Sequence, residues 1–402
     1  MIKSAAIFIE SNTTGSGADF ILRAQALGLV PIFVTASPER YAFLSRISNL
    51  ELRTCDTSSE TDLRAVIDSV AGDMRIVLLT TSSDFYLYTA ALEARRQGLT
   101  GPDPNAIALC QDKDRQAAAL RAAGIGVPYS ATVRAECDIS RSIKQIGLPA
   151  VAKPISGTGS IGVTFVDTQI DATDALRKLL GTTNDVRGRP IQPGALLMSY
   201  VAGEEYSVEL LDSKIIGVTR KHLGPLPHFV EIGHDIPARI STGLRVKIEN
   251  KALRAIQVLG HVKGPAHVEL RVDEDCVTII EVNPRLAGGS IPTLFRYTTG
   301  FDPVLAVLRS LLGMSSLPLR GGAHGSIRFI VPEREGSFAL PQCEHLVDHF
   351  ELAEFVLYHT PPLQFRRCND FRDRIGHVIA VGDDPAVVAR RAEAAVAFIL
   401  GA

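Results

Sequence analysis

The stretch from Val277 to Pro292, VTIIEVNPRLAGGSIP, brings together a carboxylate, an amide, an arginine and a glycine pair at spacings that could do chemistry. In an extended strand Ile279, Glu281 and Asn283 leave one face and Thr278, Ile280 and Val282 the other, because strand side chains alternate with period two. Just upstream, HVELRV sets His267, Glu269 and Arg271 against Val268, Leu270 and Val272. The acidic tripeptide Asp273-Glu274-Asp275 separates the two runs as a turn, so a β-hairpin is predicted. With the apolar faces coincident, Glu269 faces Ile279 and lies diagonal to Glu281, within reach of long side chains. Glu269, Glu281 and Asn283 then share a face, as hard oxygen ligands suited to Mg²⁺ carrying substrate phosphates rather than to a soft metal. Arg285 follows, and its planar, permanently charged fork suits a phosphoryl group or a transition-state oxyanion. Leu286 to Pro292 supplies a glycine-containing turn whose N–H groups could cradle an anion. Taken alone, Glu-x-Asn is most often a solvated hairpin face.

The elements before the hairpin favour the chemical reading. Ala150-Val151-Ala152-Lys153-Pro154 reads as a short strand ending in a lysine. Ser156-Gly157-Thr158-Gly159-Ser160-Ile161-Gly162 follows, three glycines and three hydroxyls in seven residues. Such a segment makes a flexible flap whose N–H groups can close over phosphates, with the ammonium as counter-charge. It is not a Walker loop, since no G-K-[ST] follows. Lys113, near the start of a charged helix that runs to Ala122, carries little weight by itself. Gly203-Glu204-Glu205 reads as a hinge between Ala195–Val201 and the strand from Tyr206 to Leu210. Val218 to Ala238, VTRKHLGPLPHFVEIGHDIPA, holds Arg220, Lys221, His222, His228, Glu231 and His234 among prolines and glycines, and reads as a function-bearing loop.

Composition narrows the class. At 402 residues with 46% hydrophobic content the chain can fill two or three globular domains. A formal charge of −2 gives no electrostatic case for nucleic acid or for an anionic membrane, so small-molecule partners are expected. Six scattered cysteines without a C-x-x-C pair argue against a zinc site and a disulfide framework, and point to a reducing cytoplasm. No secretion signal or membrane-spanning segment is read.

The first hundred residues alternate strands (Ala5–Ile9, Val30–Val34, Arg75–Thr80) with helices (Ala18–Leu27, Leu63–Val70, Tyr86–Gln97), the pattern of a doubly wound parallel sheet. Gly15-x-Gly17 lacks the third glycine of a dinucleotide fingerprint, and no acid stands at the end of the second strand, which argues against a nicotinamide site. Helices are further expected over Glu249–Gly260, Asp302–Leu312 and Pro385–Leu400, and a strand over Gly325–Val331. The fold class is α/β with α+β character in the C-terminal half. Three units are predicted: 1–109, 110–198 and 199–402, the last ending in a subdomain over about 320–402.

With Lys113, Lys153, the glycine flap, the Gly203-Glu204-Glu205 turn and Glu269, Glu281, Asn283 and Arg285 in this order, the chain resembles the ATP-grasp superfamily. That resemblance implies an N-terminal parallel domain, a small lid domain and a larger C-terminal domain with an antiparallel sheet. It implies that Lys113 and Lys153 contact ATP phosphates, that Ser156, Gly157, Gly159, Ser160 and Gly162 belong to the lid loop, and that Tyr200 and Val201 hold adenine through their backbone. Glu205 matches the ribose position, Glu269, Glu281 and Asn283 the ligands of Mg²⁺, or of Mn²⁺ in its place, and Arg285 the arginine beside the reacting phosphoryl. Many relatives carry a glutamate where this chain has Ser199, so a side-chain contact to adenine is not expected there. HFVEIGHDIPA and NPRLAGGSIP resemble the carboxylate-amine ligases of the L-amino-acid ligase and dapdiamide-synthetase type. By that resemblance Glu231 and His234 help form the acceptor site, and Arg285 with Gly288, Gly289 and Ser290 faces the activated carboxylate. The implied activity is ATP-dependent amide formation between a small carboxylic or amino acid and an amino acid, through an acyl phosphate, by an enzyme whose relatives are often homodimers. An ATP-grasp enzyme using bicarbonate or formate, and a catalytically silent nucleotide binder, are the alternatives.

Overall fold

The computed structural model describes residues 3–401 except 14, 156, 158, 186–187, 189–190, 192–193, 316–320, 340–344 and 361. Its first sheet holds four parallel strands, β1 (Ser4–Ile9), β2 (Val30–Thr35), β3 (Glu51–Thr54) and β4 (Arg75–Thr80), in the order β3-β2-β1-β4. Strand β1 shows why the sheet is covered on both faces. Ala6 and Phe8 pack with Phe20 and Ile21 of α1 (Gly17–Ala26), whereas Ala5, Ile7 and Ile9 pack with Leu63 and Ile67 of α2 (Glu60–Asp73) and with Ala90 of α3 (Leu87–Arg96). The sequence reading did not include β3, whose ELRT is polar and mostly exposed at the sheet edge. Strand order reverses between β1 and β4, so the crevice beyond their C-terminal ends is a topological switch point.

Two helices lead out of this unit, α4 (Pro104–Gln111) and α5 (Lys113–Ala122). Helix α4, also absent from the sequence reading, starts with Pro104 at its first position, after Asp103, whose side chain accepts from Asn105 N at 3.0 Å. A second, antiparallel sheet of β5 (Ser130–Val133), β6 (Ala150–Pro154), β7 (Thr164–Val166) and β8 (Ala195–Ser199) runs β5-β8-β6-β7. It packs on Ile139 and Ile143 of α6 (Glu136–Ile146) and on Leu176 and Leu179 of α7 (Gln169–Leu180).

The third sheet carries the hairpin. It contains β9 (Glu204–Leu211), β10 (Lys214–Leu223), β11 (Glu231–Ile236), β12 (Pro265–Asp273), β13 (Cys276–Asn283), β14 (His324–Ile330), β16 (Leu352–Leu357) and β18 (Gly376–Gly382), while β15 (Gly336–Phe338) and β17 (Leu363–Phe365) pair only with each other. Its order is β13-β12-β9-β10-β11-β14-β18-β16. Helix α8 (Thr242–Val258) covers one face, burying Ile248, Ala252 and Ile256 against Val208, Val268, Leu270 and Val282. Helices α9 (Ile291–Thr299), α10 (Pro303–Leu311), the four-residue α11 (Leu346–His349) and α12 (Pro385–Leu400) complete the chain. The segment set apart as a terminal subdomain contributes β14, β16 and β18 to this same sheet.

Three expectations change here. The Val218–Ala238 stretch is not a loop: β10 and β11 occupy most of it, and Gly224, Pro225 and Pro227 lie in the turn between them. Strict alternation does not hold on β13. Glu269 pairs directly with Glu281 rather than diagonally, because a bulge at Ile280 shifts the register between Glu269 and Leu270. That bulge sends Ile279 into the core while Glu281 and Asn283 stay on the opposite face. The turn is also shorter than the acidic tripeptide, since Asp273 pairs with Cys276 around Glu274-Asp275. Among the described residues, no helix is long and apolar enough to cross a membrane.

Candidate active site

Lys113 opens α5, where a cation stands at the unfavourable end of the helix dipole. Its Nζ donates to Glu281 Oε1 at 2.9 Å and to Gly157 O at 2.9 Å. Gln116, one turn on, fixes the helix to the hairpin by donating to Val282 O at 2.9 Å and accepting from Val282 N at 2.8 Å. Lys153, at the end of β6, lies 3.8 Å from Glu281 Oε2. Burial pulls its ammonium down to about 8, although Glu281 opposes that shift. Two lysines from different elements therefore converge on one carboxylate.

The row continues across the sheet from β13 to β11. Glu269 Oε1 accepts from Lys221 at 2.6 Å and from His267 at 3.0 Å. Lys221, only 5% exposed, also reaches Glu205 at 3.1 Å and Glu231 at 2.7 Å, so the three N–H bonds of one ammonium meet three carboxylates. Each carboxylate has a second cation: Arg271 lies 3.5 Å from Glu205, Arg374 2.7 Å from Glu231, and His267 stands beside Glu269. Burial raises the Glu269 and Glu231 carboxyls, but the Lys221 charge, with His267 and Arg374, more than reverses this and holds both well below the usual range. Glu205 goes the other way, since its desolvation outweighs Lys221 and Arg271. Burial likewise lowers Lys221, yet its three carboxylates leave it well above an ordinary lysine.

Glu231 and His234 share a face because Ile232 is an extra residue in the pairing of β11 with β10. His234 is fully buried, burial lowers its imidazole to about 3, and among the described residues neither ring nitrogen has a hydrogen-bond partner. Its Nε2 lies 3.6 Å from Glu231 Oε2. The same nitrogen would stand 2.5 Å from a Cβ built on Gly289. Gly289 and Ser290 have φ of +57° and +56°, and Ser290 precedes α9 without capping it through its side chain. Arg285 reaches back across the switch point, with Nε on Asp84 just past β4 and Nη1 donating to Leu286 O at 2.9 Å. Burial lowers its guanidinium, but Asp84 more than compensates.

The other sequence-derived positions lie around this row. Gly159 (φ +69°) rests on the Phe371 ring, and Gly162 (φ +71°) on Leu179 and Pro154. Ser160 O accepts from Val163 N at 3.2 Å. Ser156 lies outside the described residues. Tyr200 N donates to Pro149 O at 3.2 Å, and Val201 O accepts from Arg271 Nη1 at 2.6 Å. Ser199 pairs with Tyr129 through both backbone and hydroxyl. Lys221 was named within the Val218–Ala238 stretch but given no role, and Arg271, His267, Glu209, Asp84 and Arg374 were not singled out as site residues. Lys221 and Arg271 were legible as charges inside apolar patterns, whereas nothing local marks Asp84 or Arg374.

Among the described residues, no three His, Cys, Asp or Glu side chains converge into a ready metal cage. Glu269 and Glu281 face each other, Glu269 Oε2 and the Asn283 amide make no hydrogen bond, and all three are hard oxygen donors. That partial set fits a divalent cation whose remaining ligands are phosphates and water. A shallow cleft of about 420 Å³ lined by Arg95, Asp103, Val262 and Lys263 contains none of these groups, so volume alone does not mark the chemistry.

Residues 146–293 match the ATP-grasp domain, and residues 328–400 match the L-amino acid ligase C-terminal domain 2. The chain is 28% identical over 382 residues to the uncharacterized protein y4rH of Sinorhizobium fredii (strain NBRC 101917 / NGR234), covering 94% of this chain and 79% of that one. It is 28% identical over 208 residues to carnosine synthase 1 of Homo sapiens, where the match covers 48% of this chain and only 25% of the relative. The crystal structure of an L-amino acid ligase from Bacillus licheniformis shares its fold, with a TM-score of 0.78, 20% identity and coverage of 95% and 94% of the two chains. The chain thus carries an ATP-grasp domain followed by an L-amino acid ligase C-terminal domain.

Proposed function

We propose that this enzyme joins a small carboxylic or amino acid to the amine of an amino acid, using ATP to form an acyl phosphate. The observation that carries this reading is a pair of ion clusters, Lys113 with Glu281 and Lys221 with Glu269 and Glu231, that meet where Glu269 faces Glu281 across the hairpin, a phosphate end and an acceptor end on one sheet. Lys113 and Lys153 neutralise the ATP phosphates, the lid backbone at Gly157, Gly159, Ser160 and Gly162 shields them from water, and Tyr200 and Val201 flank the base. Arg271 fixes the Val201 carbonyl and Glu205, and so sets the hinge against the ribose. Mg²⁺ held by Glu269, Glu281 and Asn283, with Mn²⁺ as a substitute, would screen charge between the phosphates.

Arg285, with the backbone of Gly288, Gly289 and Ser290, stabilises the charge that builds as the carboxylate attacks the γ-phosphorus. Glu231 binds the ammonium of the incoming amino acid, and neutral His234 accepts or donates one hydrogen bond beside it. Neither residue is suited to take the amine proton. Glu231 is held too acidic by Lys221 and Arg374, and burial leaves His234 a weak base near 3. The amine attacks in its neutral form, one proton having left the ammonium to solvent, and the departing phosphate receives the second as its bond to the acyl carbon breaks. The chain is taken as three units, 1–109, 110–198 and 199–402, acting on soluble small molecules in the cytoplasm.

The test is ADP and phosphate release with ATP and Mg²⁺ across amino acids and small di- and tricarboxylic acids, singly and in pairs, with mass spectrometry of each mixture. A pair giving a product at the summed mass less water identifies both substrates. ADP release that requires one acid plus bicarbonate or formate would sink the amine assignment.

A further inference from the structure

One buried pair beside the row has no part in the chemistry above. Glu209 and His267 are 5% and 4% exposed, on neighbouring strands β9 and β12. Both Glu209 oxygens lie 3.0 Å from His267 Nδ1, and Ser207 Oγ donates to Glu209 Oε1 at 2.7 Å. The other ring nitrogen, Nε2, meets Glu269 Oε1 at 3.0 Å. A serine, a carboxylate and an imidazole thus form a chain that ends on a single oxygen of Glu269. Burying such a pair is expensive unless its geometry is fully satisfied, and here every polar atom of the chain is engaged.

We propose that Glu209 and His267 are a positioning pair that turns Glu269 so that its Oε2 faces a divalent cation bound with the nucleotide phosphates. This rests on the metal reading given above. A glutamate on a strand has three rotatable bonds and could present either oxygen. Lys221 and His267 both take Oε1, so Oε2 is left without a hydrogen-bond partner among the described residues, on the face shared with Glu281 and Asn283. His267 cannot turn away, because Glu209 holds Nδ1 from the opposite side. Outer-shell partners of this kind fix the orientation of metal-bound carboxylates, and their loss lowers metal affinity.

The test is Mn²⁺ binding followed by electron paramagnetic resonance, with saturating ADP, on the full chain. His267→Met removes the donor to Glu269 and should weaken Mn²⁺ binding about 10- to 100-fold, with ADP affinity in EDTA unchanged. His267→Gln can still donate one N–H and should recover most of that loss. Glu209→Gln keeps the imidazole but frees it, and should weaken Mn²⁺ by about tenfold. Wild-type Mn²⁺ affinity in folded His267→Met would overturn the proposal. If that variant does not fold, wild-type affinity in Glu209→Gln would overturn it instead. Failure of the metal reading looks different: Glu281→Gln would then bind Mn²⁺ as well as the wild type does.

Discussion

Glu281 receives two lysines that come from different parts of the chain, which makes it the residue through which the proposed phosphate end is assembled. Glu281→Gln keeps the shape and removes the charge, so turnover should fall by at least about 100-fold, as for other groups that act by charge stabilisation. The melting temperature should stay within a few degrees. A folded variant with near-normal ADP release would remove Glu281 from the site. Lys153→Met should weaken ADP binding, measured by calorimetry, because it deletes a buried ammonium that faces Glu281. Its fold should survive, since burial already disfavours that charge. At this scale the sequence exposed residue types and withheld partners. Glu269, Glu281 and Asn283 could be read from alternation, but the three carboxylates around Lys221 come from β9, β11 and β12 and meet only in the folded sheet.

Elements were legible where period and punctuation agreed. Helix α12 has the limits predicted for it, with Pro385 at the first position and Gly401 in the left-handed conformation behind Leu400. What escaped were departures from the period. The bulges at Ile280 and Ile232 each insert one residue and reverse which side chains face the site, and no local residue type announces either. Charged β10 and β11 looked like loop because their charges neutralise one another inside the sheet instead of meeting water. Two glycines set how closely elements approach. Gly203 has φ +89°, and a Cβ there would fall 1.9 Å from Val272 O, so the hinge passes against the backbone of β12. Gly203→Ala should destabilise the protein by more than about 1–3 kcal/mol, the scale of backbone strain alone, as judged by urea unfolding. Unchanged stability would mean that the hinge can move off β12. Gly289→Ala should act on function instead. Its methyl meets His234 Nε2, so amine-dependent turnover should be lost while ADP affinity is kept.

At the scale of the whole molecule, one sheet joins the proposed chemistry to the C-terminal residues that match the L-amino acid ligase domain. Arg374, between β17 and β18, grips Glu231 and lies 4.1 Å from the centre of the Phe329 ring. Next to it, Asp235 of β11 accepts from Ser326 and from Arg328 at 2.8 Å, and pairs with His222 of β10 at 2.7 Å. Arg328 in turn reaches Glu393 of α12 at 3.0 Å. This network links β10, β11, β14 and α12, and so ties the proposed acceptor end to the C-terminal helix. Burial raises the Asp235 carboxyl, but His222 and Arg328 overcome it and hold the group below its ordinary 3.8. A carboxyl lowered by folding contributes stability above its unfolded value and loses that contribution as pH falls toward its folded value. Asp235→Asn should therefore cost about 3 kcal/mol at neutral pH, the scale for breaking a buried ion pair. Urea unfolding of wild type and variant between pH 7 and pH 2 checks both magnitude and sign. Their difference should be constant down to about pH 5 and shrink below about pH 4. A gap that persists unchanged to pH 2 would show that Asp235 acts through packing and not through its charge, and that the C-terminal strands are joined to the site by apolar contact alone.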